Sequence, residues 1–493
     1  MTQTKIIATL GPASDSHAVV RALIEAGADI FRINFSYGQP DEHRRLARTV
    51  RAVAGEMSRD VALLGDVAGA KLRCGRVDPD PLSLEVGSEV TLVGEDVAGS
   101  ESLIPVTYGD LHEDLRVGEA VALDDGRIRL RVEAIEGRRV VCRVVEGGLL
   151  RSHKGINLPE TGLRIPAITD DDQRSIALAV EEGFDFLGLS FIGSARDIIT
   201  ARSIVHQHGA DMALIAKIER RAAVENLDEI LDAADGAMVA RGDLGVELPI
   251  ERVPLVQKQI IRACNERAKP VITATQMMES MVHNRRPTRA EVADIVNAIF
   301  DGTDAVMLSG ETAIGAYPVE TVRAMDRVAQ AADEALDREG HLRRGESGPS
   351  PDNDAAIGRA ASEIALDLKL DAIVCLTEGG STPRRIARHR PRCPIVAVSA
   401  NSTTGRQLLL SWGVQPVVLA ELADLAVGAD MASGELGRSE RGEIGTQMRR
   451  ILGLCVRVGS LRAGQRVAVV AGLPLDQPGI TNLIHLTVVP AFA

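Results

Sequence analysis

Apolar and polar positions follow two alternating patterns over most of the chain. Short, β-branched apolar runs bounded by Gly, Asp or Ser are typical of buried strands. There are eight of them: Lys5–Leu10, Asp29–Phe35, Val61–Gly65, Phe184–Phe191, Ala213–Ile218, Gly236–Ala240, Pro270–Ala274 and Asp304–Leu308. Ala/Leu/Glu/Arg-rich segments of helical period separate most of them: Ser16–Ala26, His43–Ala54, Asp171–Glu182, Ser194–His206, Asn226–Ala234, Leu255–Arg267 and Arg289–Phe300. This alternation predicts a (β/α)8 TIM barrel.

Two regions depart from the alternation. Residues 73–152 show short alternating stretches with turn residues, such as Glu89–Val93 and Val140–Val145. They predict a small inserted β-barrel that acts as a lid over the rim, so the catalytic barrel would comprise 1–72 and 153–340. Residues 345–351 have a linker composition, and 352–493 predict a C-terminal α/β open-sheet regulatory domain, with an exposed loop at 428–443. Its strands are expected near Ala372–Leu376, Ile395–Ser399, Gln415–Leu419, Arg466–Val470 and Ile484–Val489.

Composition narrows the class of protein. The 493 residues are 45% hydrophobic and 25% charged, which is normal for a globular protein of two to four domains. The formal net charge of −13 argues against a nucleic-acid partner. The six cysteines are scattered singly, which favours reduced thiols. With no signal segment and no apolar stretch of membrane-spanning length, we expect a cytoplasmic protein without a membrane partner.

Polar side chains follow three successive strands of the predicted barrel. Lys217 and Glu219 end one strand, and period-2 alternation places them on the same face. Asp243 and Thr275 follow the next two strands. Glu219 and Asp243 are hard oxygen ligands suited to Mg²⁺ or Mn²⁺ completed by water and substrate oxygens. Lys217 would then stabilise an oxyanion beside the metal ion. Solvated loop carboxylates and a surface lysine are the plainer alternatives.

Further polar groups cluster at the ends of the early strands. Arg32, Asn34 and Ser36 alternate along one strand, which suits a phosphate and a cation but also an ordinary polar strand end. Asp66, Lys71 and Arg73 close the third strand and predict either a phosphate-transfer pocket or an ion-pair network.

Two glycine-containing turns could bring the backbone close to a bound anion. Gly242 precedes Asp243 and would let the backbone approach a bound anion closely. In the last domain, Thr377, Gly379, Gly380, Ser381 and Thr382 form a loop before a helix, which favours an effector phosphate but also suits an ordinary βα turn.

These residues lie in stretches that resemble the pyruvate kinase family over nearly the whole chain. Eight motifs in order carry the resemblance: TKIIATLGPAS (4–14), FRINFS (31–36), KGINLP (154–159), AKIE (216–219), MVARGDLGVE (238–247), KPVITATQMMESM (269–281), RPTRAE (286–291) and MLSGETA (307–313). The resemblance implies Mg²⁺-dependent phosphoryl transfer from phosphoenolpyruvate to ADP, giving pyruvate and ATP in glycolysis.

The resemblance also implies roles for individual residues. Glu219 and Asp243 would bind the metal ion, and Lys217 would stabilise the transition state and the enolate. Gly242, Asp243 and Thr275 would hold the substrate carboxylate, while Arg32 contacts the phosphate. Asn34, Arg73 and Lys154 would serve the nucleotide. A homotetramer, regulated by a sugar-phosphate or nucleotide effector at the last domain, is expected on the same basis.

One departure from the family pattern concerns K⁺. Many members place a glutamate at the position of Lys71 and a threonine at that of Val67, and they bind K⁺ through Asn34, Ser36, Asp66 and that threonine. Because the Lys71 ammonium supplies a positive charge here, we expect turnover without K⁺, as in the potassium-independent branch.

Other departures leave nucleotide affinity and effector response open. Tyr37 replaces a histidine, Ala70 a proline and Gly193 an arginine. A specialised or non-catalytic paralogue and a Mg²⁺-dependent pyruvate aldolase or lyase are the alternatives. A lyase would share Lys217, Glu219, Asp243 and Thr275 but would not need Arg73, Lys154 or a lid.

Overall fold

A closed barrel of eight parallel strands forms the centre of the chain in a computed structural model that describes residues 2–162, 164–336, 352–422, 438–472 and 480–491. With elements numbered in chain order, the barrel strands are β1 (Lys5–Thr9), β2 (Ile30–Asn34), β3 (Ala62–Asp66), β13 (Phe186–Leu189), β14 (Ala213–Ile218), β15 (Gly236–Ala240), β16 (Val271–Ala274) and β17 (Ala305–Leu308). All eight coincide with predicted strands, which confirms the (β/α)8 barrel.

Helices surround the barrel on its outer face. They are α1 (His17–Ala26), α2 (Pro40–Glu56), α4 (Asp170–Glu181), α5 (Ala195–Gln207), α6 (Arg221–Glu225), α7 (Leu227–Ala233), α8 (Arg241–Glu247), α9 (Val253–Glu266), α10 (Arg289–Asp301), α11 (Gly310–Ala313) and α12 (Pro318–Ala335). The sequence explains where two of these helices begin, because Thr169 and Thr288 each cap a helix N-terminus through a reciprocal capping box. The predicted helix Val328–Arg338 is the end of α12, and its last two residues lie outside the described ranges.

Side-chain alternation along the barrel strands separates two layers of core. Outward residues such as Phe31 and Leu214 pack against the helices. Inward residues such as Ile30, Leu64 and Ile215 fill the barrel interior, where Leu409 and Leu410 of the C-terminal domain close the floor. The next inward positions along the same strands are Arg32, Asp66 and Lys217, which places all three at the rim.

The inserted region forms a small barrel. Its strands are β4 (Leu72–Arg73), β5 (Leu82–Leu84), β6 (Glu89–Val93), β7 (Leu103–Pro105), β8 (Ala120–Leu123), β9 (Ile128–Glu136), β10 (Arg139–Glu146), β11 (Gly148–Leu150) and β12 (Gly155–Asn157), with α3 (Leu111–Asp114) between β7 and β8. Seven strands pair in the order β4-β12-β8-β9-β10-β6-β7, and β5 pairs with β11. A bridge between Cys74 and Val106 joins the first strand of the sheet to the last and so closes it.

The C-terminal domain is an open sheet in the order β20-β19-β18-β21-β22, parallel except for β22. Its strands are β18 (Ala372–Leu376), β19 (Ile395–Ser399), β20 (Val414–Val418), β21 (Arg466–Ala471) and β22 (Leu483–Val488), and its helices are α13 (Asn353–Asp367), α14 (Ser381–Ala387), α15 (Ser402–Leu408) and α16 (Arg438–Arg457). Because α16 begins at Arg438, the end of the predicted loop 428–443 is helical, and 428–437 lie outside the described residues.

Buried carboxylates fix the C-terminal domain to the barrel floor. Asp304 accepts hydrogen bonds from Arg390 Nη1 at 2.9 Å and from the Trp412 backbone at 3.1 Å. Asp333 accepts one from Trp412 Nε1 at 3.1 Å. In the described ranges, no helix is both long enough and apolar enough to cross a membrane.

Candidate active site

Asp66 organises the cations at the barrel rim. Its carboxylate accepts a hydrogen bond from Arg32 Nε at 2.7 Å and lies 2.6 Å from Arg32 Nη2 and 3.0 Å from Lys217 Nζ. Burial alone would raise the pKa of Asp66, but the charges of Lys217 and Arg32 outweigh it and hold this pKa below its ordinary value. Asp66 is therefore an anion whose two oxygens fix an ammonium and a guanidinium side by side.

Lys217 is held by three oxygen atoms. Its Nζ donates to Ser190 Oγ at 2.5 Å and lies 3.0 Å from Asp66 Oδ1 and 3.5 Å from Glu219 Oε2. The Ser190 hydroxyl donates onward to the Val67 carbonyl at 2.7 Å, so its lone pairs face the ammonium. Burial disfavours the charge on Lys217, yet Asp66 and Glu219 raise its pKa above the ordinary value, and the side chain stays a cation.

Glu219 has one hydrogen-bonded oxygen and one that the Lys217 ammonium approaches at 3.5 Å. Oε1 accepts the Phe191 backbone N–H at 2.6 Å, whereas the buried Oε2 has no hydrogen-bond partner among the described residues. Burial, together with the charge of Asp243, raises the pKa of Glu219 to about 7. A buried carboxylate with an open oxygen beside a second carboxylate fits a divalent cation.

Asp243 supplies that second carboxylate from the first turn of α8, and its side chain is 28% exposed. In the described part of the chain, no group of three or more His, Cys, Asp or Glu residues is arranged to hold a metal ion. Glu219 and Asp243 would thus leave most coordination positions of Mg²⁺ to water and substrate, as this ion prefers.

Lys71 lies against the same carboxylate. Its Nζ is 3.5 Å from Asp243 Oδ1 and 5.6 Å from the centre of the Phe191 ring. Its Cε atom would be 3.2 Å from a Cβ placed on Gly155 in β12, so Lys71 sits where the lid joins the barrel. The structure therefore brings the ammonium predicted to substitute for K⁺ to the proposed metal ligand.

Gly242 and Thr275 meet directly across neighbouring strand ends. The Gly242 N–H donates to Thr275 Oγ1 at 2.8 Å. Thr275 and the following Gln276 both have left-handed backbones, with φ of +68° and +55°. Arg241 holds this turn: it donates to the Thr275 carbonyl at 2.6 and 3.2 Å and to Asp294 at 2.6 Å. Thr275 Oγ1 donates in turn to the Ala274 carbonyl at 2.6 Å, so the structure places the predicted carboxylate-binding groups together and pairs them with each other.

The residues predicted for the nucleotide are divided between rim and lid. Asn34 Oδ1 accepts the backbone N–H of the exposed Ser36 at 3.0 Å beside β3. Arg73 donates to the His153 carbonyl at 3.1 Å, and Lys154 Nζ lies 2.8 Å from Asp124. Among the described contacts, neither Arg73 nor Lys154 bonds to Lys217, Asp66 or Glu219.

The predicted effector loop forms a tight turn before α14, which begins at Ser381. The Gly380 N–H donates to Thr377 Oγ1 at 2.9 Å, and Gly380 has φ of +81°. Thr382 shares a hydrogen bond with Thr481 at 2.8 Å, and Ser381 is exposed. Gly379 leads into the turn.

Four residues of the site escaped sequence reasoning: Ser190, Phe191, Arg241 and Asp294. Ser190 and Phe191 follow the end of β13, but Phe191 has φ of +55°, which turns its N–H toward Glu219 and leaves the strand pattern. A left-handed phenylalanine carries no local sequence signal. Arg241 adjoins Gly242 in the sequence, and only the fold reveals that it holds Thr275.

Comparison with known proteins identifies the family of the chain. A family model for the pyruvate kinase barrel domain matches residues 1–322, and one for the pyruvate kinase alpha/beta domain matches residues 355–487. The chain is 39% identical to a pyruvate kinase of Clostridium acetobutylicum over 491 residues, covering 99% of this chain and 100% of that relative. It is 46% identical to one of Thermococcus litoralis over 423 residues, covering 85% and 89%. A crystal structure of a pyruvate kinase from Cryptosporidium parvum aligns with a TM-score of 0.89 at 31% identity, over 99% of this chain and 96% of that one. The chain belongs to the pyruvate kinase family of phosphotransferases.

Proposed function

We propose that the enzyme transfers the phosphoryl group of phosphoenolpyruvate to ADP in the presence of Mg²⁺, giving pyruvate and ATP in glycolysis. The observation that carries this proposal is the open Oε2 of Glu219, 3.5 Å from the Lys217 ammonium and close to Asp243. Such a site can neutralise the charge of a phosphoryl group in transfer and of the enolate left behind.

The chain's own residues position the reacting groups. Arg32 and Lys217, fixed by Asp66, face the phosphoryl group with two cations. Thr275 Oγ1 and the Gly242 N–H, which are hydrogen-bonded to each other at 2.8 Å, would exchange that bond for bonds to the substrate carboxylate. Lys217 then stabilises the enolate oxygen, because its pKa stays high enough to keep it charged. Glu219 and Asp243 would hold Mg²⁺, which supplies further positive charge at the phosphoryl and carboxylate oxygens.

The nucleotide is proposed to lie between rim and lid. Asn34 contacts it from the barrel, and Arg73 and Lys154 approach its phosphates from the base of the lid. Closure of the lid would exclude water from the transferring phosphoryl group.

A coupled assay that measures pyruvate and ATP formation tests this function. Lys217→Met should lower kcat by at least about 100-fold, because the main charge-stabilising group is lost. Lys258→Met, which removes an exposed lysine of α9, should retain wild-type turnover. Pyruvate release without ATP would instead identify a lyase, and near-wild-type turnover of Lys217→Met would refute the assigned role.

We further propose that turnover does not require K⁺. Lys71 supports this, since its ammonium lies 3.5 Å from Asp243 and over the Phe191 ring. Turnover in Na⁺ or tetramethylammonium should equal that in K⁺, and Lys71→Glu should make turnover depend on K⁺. A wild-type enzyme that loses activity without K⁺ would overturn the proposal.

The remaining proposals concern organisation. We propose domain boundaries at 72/73, at 152/153 with β12 of the following segment completing the lid sheet, and near 340–352. We also propose a homotetramer and a sugar-phosphate or nucleotide effector at the Thr377–Thr382 loop. The six cysteines are all buried thiols, which supports a reducing, cytoplasmic setting. Light scattering tests the tetramer, and activation assays with sugar phosphates and nucleotides test the effector site.

A further inference from the structure

A small cavity lies where α14 of the C-terminal domain meets the barrel floor. Lys269, Asp304, Arg384, Arg388 and Ser411 line it, together with Asn265 and small apolar groups. Its volume is about 10 Å³, counted as the space open to the centre of a water molecule. We call this space the floor cavity; it has room for one water molecule or one monatomic ion.

Two polar atoms of the floor cavity lack partners. Arg384 Nε and Ser411 Oγ are both buried, and neither has a hydrogen-bond partner within the described residues. Arg384 makes one long hydrogen bond, from Nη1 to the Gly379 carbonyl at 3.5 Å. A buried guanidinium nitrogen left without an acceptor costs free energy unless a further group accepts its hydrogen bond.

The charges around the floor cavity are predominantly positive. Lys269, Arg384 and Arg388 contribute three cations, and burial lowers the pKa of each. The Lys269 ammonium donates to the carbonyls of Leu231, Asp232 and Ala234, and Arg388 Nη1 donates to that of Glu266, but these acceptors are neutral. The carboxylate that lines the cavity, Asp304, is engaged by Arg390 at 2.9 Å and by the Trp412 backbone. Asp235, which attracts Arg384 at longer range, is itself bound to Arg202 at 2.9 Å. The floor cavity therefore lacks a negative charge that would balance these cations.

We propose that the floor cavity binds one chloride ion, which accepts hydrogen bonds from Arg384 Nε and the Ser411 hydroxyl. A water molecule would fit the space but would not compensate the excess of positive charge, and phosphate is too large for a single water-sized position. The assignment is independent of the proposed catalytic function. Arg384 also donates from Nη1 to the Gly379 carbonyl at 3.5 Å, so the ion would lie beside the predicted effector loop as well as the barrel floor.

Thermal unfolding of the full chain tests the proposal. At about 0.2 M salt and equal ionic strength, sodium chloride should raise the unfolding midpoint about 2–4 °C above sodium gluconate, in a saturable manner. Arg384→Met should lose this difference. In gluconate it should unfold no lower than wild type, because an unpaired buried cation has been replaced by an apolar side chain. Arg392→Gln, which removes an exposed guanidinium from the same domain, should keep the wild-type chloride response.

Diffraction of the wild-type protein gives a readout that no variant can confound. Crystals soaked in sodium bromide should show an anomalous peak between Arg384 Nε and Ser411 Oγ, and Ser411→Ala should weaken it. A peak height explained by water alone would overturn the proposal, as would equal wild-type unfolding midpoints in chloride and gluconate. A chloride response retained by Arg384→Met would also place the ion elsewhere.

Discussion

Replacing Arg241 by lysine should impair the binding of phosphoenolpyruvate while leaving ADP unaffected. Arg241 is 11% exposed and donates to the carbonyls of Ala274 and Thr275 and to Asp294. These bonds hold Thr275 and Gln276 in left-handed conformations that cost about 1–3 kcal/mol each when unsupported. A lysine cannot make all of these hydrogen bonds, because its ammonium donates from one nitrogen, whereas the planar guanidinium donates from several.

The expected magnitude follows from the bonds that are lost. Hydrogen bonds from a charged donor contribute about 1.5–3 kcal/mol each. Loss of the two bonds to the Thr275 carbonyl should therefore cost about 3 kcal/mol or more, which is roughly 100-fold in kcat/KM for phosphoenolpyruvate. The KM for ADP should change little, because Asn34, Arg73 and Lys154 lie away from this turn.

Steady-state kinetics of Arg241→Lys, with each substrate varied in turn, checks this prediction. Arg262→Lys on α9 is a suitable control, since that arginine is 74% exposed and pairs only with Glu266 among the described residues. Asp294→Asn should have a smaller effect, about 10-fold, that does not add to that of Arg241→Lys, since both act on one network. A kcat/KM for phosphoenolpyruvate within about threefold of wild type, or equal rises in both KM values, would refute the reasoning.

Three further predictions concern protonation and packing. Because burial raises the pKa of Glu219 to about 7, Mn²⁺ should displace a proton from Glu219 when it binds. The association constant for Mn²⁺, measured by electron paramagnetic resonance, should therefore rise up to about tenfold per pH unit below pH 7 and level off above pH 7. Asp114 binds Tyr108 at 2.6 Å and Arg164 at 2.6 Å, which outweighs burial and lowers its pKa. The ionised Asp114 therefore stabilises the folded state above the ordinary aspartate pKa, and this stabilisation is lost as the pH falls below it. The difference in unfolding midpoint between wild type and Asp114→Asn should shrink below about pH 4, and a constant difference would contradict this. Asp333→Ala should lower the free energy of unfolding by about 3–5 kcal/mol. It should also shift the fluorescence emission of Trp412, the single tryptophan, to the red. An unchanged spectrum would show that Asp333 does not hold this side chain.

Sequence was sufficient for the parts of the site that follow the period of a strand. Lys217 and Glu219 share an inward face because they are two residues apart on and just beyond β14, and the same parity aligns Arg32 with Asn34. The barrel was predictable for a related reason, since eight apolar runs must bury both faces against helices.

The parts that sequence did not indicate depend on backbone geometry after the strands end. Phe191 and Thr275 both leave the strand pattern with positive φ, and neither is a glycine that would announce the change. Arg241 and Asp294 are 53 residues apart, so their 2.6 Å contact depends on the fold alone. Closure of the lid through Cys74 and Val106 likewise joins the two edges of a sheet with no shared pattern.

The two ends of the barrel use charge in opposite ways. At the floor, an aspartate precedes every second strand and accepts the backbone N–H of the neighbouring strand: Asp29 from Ile6 at 2.9 Å, Asp185 from Leu63 at 2.8 Å, Asp235 from Leu214 at 2.8 Å and Asp304 from Val271 at 3.0 Å. These four bonds fix the parallel register at alternate positions around the barrel. Two of the carboxylates also bind the C-terminal domain, Asp185 through Arg406 and Asp304 through Arg390.

This fixed floor explains how the rim tolerates strain. At the opposite ends of the same strands, the inward positions hold cations, unpaired carboxylate oxygen and left-handed turns, each of which is costly to bury or maintain. The strand register and the docking of the C-terminal domain are both fixed at the floor. The strands therefore cannot slide past one another to relieve strain at the rim. The geometry proposed to bind a phosphoryl group is thus maintained by carboxylates at the far end of the barrel, which lie outside the proposed site.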